Sequence, residues 1–251
     1  MVNSTTLEAK MGCYNLRKNQ FLHIAKGNQE VEAKLVVKTA EINWVGTDSP
    51  TLIPISIHSS FHEGIEGTLK MEAMIKMIQE NIQSSPTILL CEVAHLQVMS
   101  LRDSSAKTTC RQDADKLVEE FSPLFEGCKT VFWEDYVQND STYSFFREKV
   151  YSQYEKDPAF RRFVAEDALS TYTPKRRVLY PNKGLFLEKT KEDLLEQSIC
   201  LHVLSQKGYK FQTYPGKYYS AVEYLAREMP ISLIHVFVAV EKKRVVEPAT
   251  H

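Results

Sequence analysis

The sequence predicts an α/β protein: a Rossmann-like parallel sheet with helices on both faces. Three observations predict it. Short unbroken apolar runs recur along the chain, as strands buried on both faces require. Between them lie segments whose apolar residues return every three or four positions, as on one face of a helix. The alternation continues to the end of the 251-residue chain with no internal repeat, low-complexity tract or Pro/Gly/Ser-rich linker. This organisation reads as a polar N-terminal segment over 1–30 and one domain over 31–251.

The elements follow in order. AKLVVKTAEINWVG (33–46) contains a strand, and TLIPISI (51–57) is a second. Met71, Met74, Ile75, Ile78 and Ile82 share one face of a helix that Pro86 stops. TILLCEV (87–93) is a third strand. Ala114, Leu117, Val118 and Phe121 mark another helix, and KTVFW (129–133) another strand. STYSFFREKVYSQYEK (141–156) reads as a helix. Asp157-Pro158 opens the next one, with Asp as cap and Pro at the first helical position. Its inner stripe is Phe160, Phe163, Val164 and Ala168. Thr190 with Asp193 has the spacing of a capping box for a long helix closed by Gly208. YKFQTY (209–214) is a strand, Ser220 with Glu223 a second capping box, and SLIHVFVAV (232–240) a last strand.

Composition narrows the function. Apolar residues make up 43% and charged residues 25%, the balance of an ordinary soluble protein. No apolar stretch reaches the ~18 residues that span a bilayer. The first 20 residues hold no apolar run like that of a secretory signal, so a cytoplasmic location is expected. Cys13, Cys91, Cys110, Cys128 and Cys200 are odd in number and lack C-x-x-C spacing, which points to free thiols. No phosphate-cradling glycine motif is present among the 9 glycines, which argues against dinucleotide and nucleoside-triphosphate chemistry. His and Cys are scattered without ligand spacing, so no metal and no cofactor are expected. A net charge of −1 attracts no nucleic acid overall, so such a partner needs a local basic patch.

Two stretches carry candidate chemistry. In PISIHSSFHEG (54–64), Ser56 stands at the carboxyl end of a strand, where ligands bind in α/β sheets. It is either a nucleophile or one of several polar residues of a loop. His58 and His62 are possible pocket residues only. In YSAVEYLAREMP (219–230), Tyr224 and Glu228 are spaced i, i+4 and share a helical face. They are either a site for an ammonium group and its proton or a half-buried Tyr beside a solvated Glu.

Together with a third segment, these stretches resemble the tRNA-dependent cyclodipeptide synthases. PISIHSSFHEG is similar to the family's serine-bearing strand end. VFWEDYVQNDSTYSFFREKVYSQYEKDPAFRRFVAEDAL resembles its W-x-D segment and the two helices after it. YLAREMP matches its pattern of Tyr, a β-branched residue or Leu, two variable residues, Glu, one variable residue and Pro. Order and approximate spacing agree over residues 35–230.

The resemblance implies a fold like the catalytic domain of class I aminoacyl-tRNA synthetases. It implies two aminoacyl-tRNAs as substrates and a diketopiperazine as product. Ser56 would receive the first aminoacyl group, and Tyr224 and Glu228 would hold its α-ammonium. The amine of a second aminoacyl-tRNA would attack that ester to give a dipeptidyl-enzyme, which closes on itself. Ser59 and Glu92 would be substrate-binding, Glu92 favouring a cationic or polar amino acid. Arg102, Lys107, Arg111 and Lys116 match the place of the family's tRNA-binding patch. Lys175-Arg176-Arg177 is a second basic cluster, with Arg161 and Arg162 nearby.

Two departures stand out. Many members carry Asn three residues after the nucleophile, where this chain has Ser59, as in the branch lacking that Asn. A late functional Tyr of the family has no counterpart after Glu228; Phe237 stands there, or Tyr214 or Tyr180 replaces it. Two other readings are a Rossmann-like transferase and a non-catalytic tRNA-binding module.

Overall fold

The computed structural model describes residues 21–26, 29–36, 48–57, 64–214, 219–229 and 234–243. Its strands are β1 (Phe21–Lys26), β2 (Gln29–Val36), β3 (Thr51–Ile55), β4 (Thr87–Leu90), β5 (Lys129–Phe132), β6 (Phe211–Tyr214) and β7 (Ile234–Lys243). They form one sheet in the order β1-β2-β7-β6-β3-β4-β5. From β7 to β5 every neighbouring pair is parallel, as the apolar runs require. β1 and β2 form an antiparallel hairpin that joins the sheet through β7. That hairpin departs from the purely parallel expectation, and it begins inside the segment read as polar. Its own sequence explains the difference: VEAKL alternates in β2, as a strand with one covered face does. Val31 is fully buried there.

The two-residue period of the central strands divides the core. Ile53, Ile55, Ile57, Ile88 and Leu90 face α1 (Gly64–Asn81), α3 (Ala106–Glu120) and α4 (Ser122–Phe125). Leu52, Leu89 and Cys91 face the opposite layer. That layer holds α5 (Tyr143–Lys156), α6 (Pro158–Ser170), α8 (Lys183–Gln206) and α9 (Ser220–Glu228). The short helices α2 (Leu96–Met99) and α7 (Pro174–Leu179) complete the set. In α1 the expected stripe of Met71, Met74, Ile75 and Ile78 is buried to 1% exposure or less. Among the described residues, no helix is long and apolar enough to cross a membrane.

Helix ends confirm two expectations, at Asp157 and Gly208, and correct two. The Asp157 carboxylate accepts from the backbone N–H groups of Ala159 and Phe160, so α6 starts as its sequence predicts. Thr190 and Asp193, however, lie inside α8, which Asn182 caps by accepting from Leu185 N–H. Asp193 instead accepts from the N–H groups of Gln97 and Val98 at the start of α2. Ser220 does not cap α9 either: the N-cap is Tyr219, and a carboxylate oxygen of Asp167 in α6 accepts from Ala221 N–H at 2.7 Å. In α9 a buried carboxylate from another helix takes the place of the local capping pair, whereas α8 starts about two turns before its expected cap, at Asn182. Gly208 closes α8 with φ of 90°, a conformation that disfavours any side chain.

Candidate functional site

β3 pairs with β4 on one side and with β6 on the other, so the chain reverses its direction of winding beside β3. Ligands in such sheets bind beyond the carboxyl ends of the strands at this switch point. A cavity of about 290 Å³ lies there. Alternate residues of β3 and its extension, Leu52, Pro54 and Ser56, form one wall. Leu89 and Cys91 of β4 continue it. Gln197, Cys200, Leu201 and Leu204 enter from α8 at i, i+3, i+4 and i+7, the spacing of a single helix face. Trp133, Tyr219, Val222, Gln212, Ala94 and His95 complete the lining. At this size the cavity holds one amino-acid-sized group, not a dinucleotide.

Among the described residues, the lining holds no Asp, Glu, Lys or Arg, so this part of the cavity suits an uncharged group. Burial pushes the Cys91 and Cys200 thiols up, which keeps both protonated and poorly nucleophilic. Ser56, half-buried, is the lining hydroxyl at the strand end. Burial also raises the Tyr219 phenol, against the pull of the Arg176 charge. Among the described residues, the buried indole N–H of Trp133 has no acceptor. Among the described residues, no cluster of His, Cys, Asp and Glu is arranged to hold a metal ion.

The structure separates the residues the sequence grouped. Tyr224 and Glu228 do share a face of α9, but that face does not line the cavity. Val222 does, and two residues on a helix are about 200° apart. Tyr224 packs against Phe160 and Phe163 of α6, with ring centroids 6.3 and 5.1 Å away. Its hydroxyl donates to Asp157 at 2.9 Å, which raises the phenol above its ordinary value. Glu228 is exposed.

Glu92 is buried, yet it does not line the cavity. Its carboxylate accepts from the N–H groups of Trp133 and Glu134 at 3.0 and 2.9 Å. It therefore ties the end of β4 to the segment after β5 and does not face the cavity. Ser59, His58 and His62 lie outside the described residues, and Tyr214 and Phe237 are described only in their backbones. Tyr180 is placed away from the cavity lining, against Phe186.

The four basic residues matched to the tRNA patch divide as well. Lys107 pairs with Glu134 at 2.5 Å, and Lys116 with Asp113 at 3.0 Å. Arg111 pairs with Asp135 at 2.8 Å and lies 3.6 Å above the Phe132 ring. Arg102 stands apart, over the ring of Tyr180.

Tyr219, Trp133 and the α8 face are site residues that the sequence reading missed. The α8 spacing was visible, but most of that helix is buried on other sides too, which hides one functional face among several.

No protein-family model and no curated protein sequence matches the chain. Solved structures do. A cyclodipeptide synthase (CDPS) from Fluoribacter dumoffii superposes with a TM-score of 0.75 at 17% identity, over 86% of this chain and 100% of that one. A cyclodipeptide synthase from Candidatus Glomeribacter gigasporarum, bound to Phe-tRNAPhe, gives 0.61 at 15% identity, over 80% and 91%. The tyrosyl-tRNA synthetase of Archaeoglobus fulgidus gives 0.50 at 12% identity, over 76% of this chain and 55% of the synthetase. These likenesses are of fold: the chain has the α/β fold of the cyclodipeptide synthases, akin to that of a tyrosyl-tRNA synthetase.

Proposed function

We propose that the protein is a cyclodipeptide synthase that takes two aminoacyl-tRNAs and releases a diketopiperazine. The observation that supports this most is Ser56 in the wall of an uncharged, amino-acid-sized cavity at the switch point of this fold. An aminoacyl-tRNA ester is already activated, so the reaction runs without ATP. Ser56 Oγ attacks the ester carbonyl, the bond to the tRNA ribose oxygen breaks, and the hydroxyl proton leaves with that oxygen. The amino-acid side chain sits in the cavity between β3 and α8.

Atom balance reverses the second step implied by the resemblance. An amine of the second aminoacyl-tRNA attacking the Ser56 ester would free Ser56 and leave the dipeptide on tRNA. To form a dipeptidyl-enzyme, the amine of the Ser56-bound residue must attack the second tRNA ester, and that tRNA departs. The new terminal amine then attacks the Ser56 ester, closing the ring and restoring the hydroxyl. Holding the dipeptide on Ser56 makes this closure intramolecular, where effective concentrations are large.

The test is intact-mass measurement after mixing with charged tRNA. The parent should gain the mass of one aminoacyl residue. Ser56→Ala should gain none, yet remain folded, because the side chain at this strand end is half-exposed. An adduct on the Ala variant removes Ser56 as the nucleophile. Binding without any adduct on the parent favours the non-catalytic module.

A further inference from the structure

Of the basic residues placed above, those on α3 spend their charge within the protein. Lys107, Arg111 and Lys116 each have a carboxylate within 4 Å. A second group of cations does not. Arg102 lies 5.8 Å from the centre of the Tyr180 ring, Arg177 5.8 Å from Tyr172, and Arg176 5.9 Å from Phe186. The three rings form one cluster, Phe186 standing 4.9 Å from Tyr172 and 5.3 Å from Tyr180. The Tyr172 hydroxyl donates to the Tyr180 carbonyl and ties both ends of α7 together. Among the described residues, no carboxylate pairs with any of the three arginines. Lys175 and Lys183, both exposed, flank the rings in sequence.

A guanidinium within ~6 Å of a ring centre is attracted to the ring face and keeps N–H donors whose forked edge matches a phosphate. Three such groups around one aromatic cluster make a local basic patch in a chain whose net charge is −1. The cluster also adjoins the cavity. Tyr172 and Phe186 pack against Val98, three residues beyond the lining residue His95. The charge of Arg176 reaches Tyr219, which lines the cavity.

We infer that Arg102, Arg176 and Arg177, with Lys175, dock the phosphodiester backbone of the substrate tRNA, in place of α3. This rests on the reading of the protein as acting on aminoacyl-tRNA. Val178 and Leu179 are exposed on the same helix, which raises an anionic membrane as the rival partner. Three guanidinium groups set beside aromatic rings favour RNA, whose phosphates they can pair with, and the apolar side chains exposed on the six-residue α7 are only Val178 and Leu179.

The experiment compares tRNA binding against salt concentration for the parent and three variants. Arg102→Gln/Arg176→Gln/Arg177→Gln should bind at least roughly tenfold more weakly and lower the salt slope by about one per charge removed. Lys107→Gln/Arg111→Gln/Lys116→Gln should keep the parent slope. Lys175→Glu/Lys183→Glu leaves the ring stacking untouched, so it reports on the surface even if the arginine variant unfolds; it should also weaken binding. Loss of slope in the α3 variant alone overturns the placement while the tRNA reading stands. A parent that binds no tRNA sinks both. A parent that binds phosphatidylserine vesicles through these arginines, with tRNA affinity unchanged in the variants, makes the surface a membrane contact and overturns the inference.

Discussion

Tyr219 and Tyr224 stand five residues apart at the same helix and do different work. Tyr219 lines the cavity, while Tyr224 is bound to α6 through Asp157, Phe160 and Phe163. The geometry therefore separates two accounts of the YLAREMP motif. Tyr224→Phe should lower the unfolding midpoint, because it removes the hydrogen bond to Asp157. Its rate of aminoacyl-enzyme formation should stay within roughly twofold of the parent, as for a residue away from the reacting groups. Glu228→Gln, at an exposed position, should change neither by more than that. If either variant acylates ten times more slowly while remaining as stable as the parent, the residue touches the substrate, and the family role implied by the motif holds after all. Tyr219→Phe should show the reverse pattern, a slower reaction with an unchanged midpoint.

At the scale of elements, the position of α9 depends on a carboxylate from α6. Asp167 accepts from Ala221 N–H, and α9 brings Tyr219 and Val222 to the cavity. Asp167→Ala should cost about 0.5–2 kcal/mol, the usual loss for a helix cap. It should also slow acylation, because the first turn of α9 is the part that lines the cavity. Thermal unfolding and intact-mass rates measured on one sample check both. A loss of stability with an unchanged rate would mean that the cavity wall does not depend on this cap. α2, just after the lining residues Ala94 and His95, is held in the same way by Asp193 from α8.

For the whole molecule, Asp193 makes stability depend on pH. Burial pushes its carboxyl up to about 8 from 3.8, so the folded protein holds a proton that the unfolded chain has released. The folded state therefore loses stability as pH rises from about 4 towards 8, by up to ~1.4 kcal/mol per unit. Asp193→Asn mimics the protonated acid and should remove this slope. Glu92, also raised by burial, adds a slope of the same sign that parent and variant share, and two further groups act elsewhere. Asp140, lowered to about 2 chiefly by Lys207, destabilises only as pH falls below 4. His202, held neutral by burial, acts below pH 6.5 in both proteins and cancels in the comparison. Chemical unfolding at pH 5 and pH 8 checks the prediction: parallel pH profiles for parent and variant would show that Asp193 is ionised in the fold.

The sequence by itself determined the central strands and most of the helices, because burial on both faces writes unbroken apolar runs and helical spacing into the chain. It also placed Ser56 at a strand end. The edge hairpin went unpredicted, because a polar composition over 1–30 masked the alternation of VEAKL and the turn signal Gly27-Asn28. Tertiary structure decided the rest. Local spacing shows that Tyr224 and Glu228 share a face of α9, but the rotation of that helix is set by Asp167 and the rings of α6. Thr190 and Asp193 have the spacing of a cap, yet a helix that starts earlier at Asn182 makes one of them a brace for α2. Arg102 and Arg111 look alike in sequence; both lie over an aromatic ring in the fold, but only Arg111 gains a carboxylate as well. Partners for charges and for helix ends come from residues distant in the chain, and one-dimensional spacing holds no record of them.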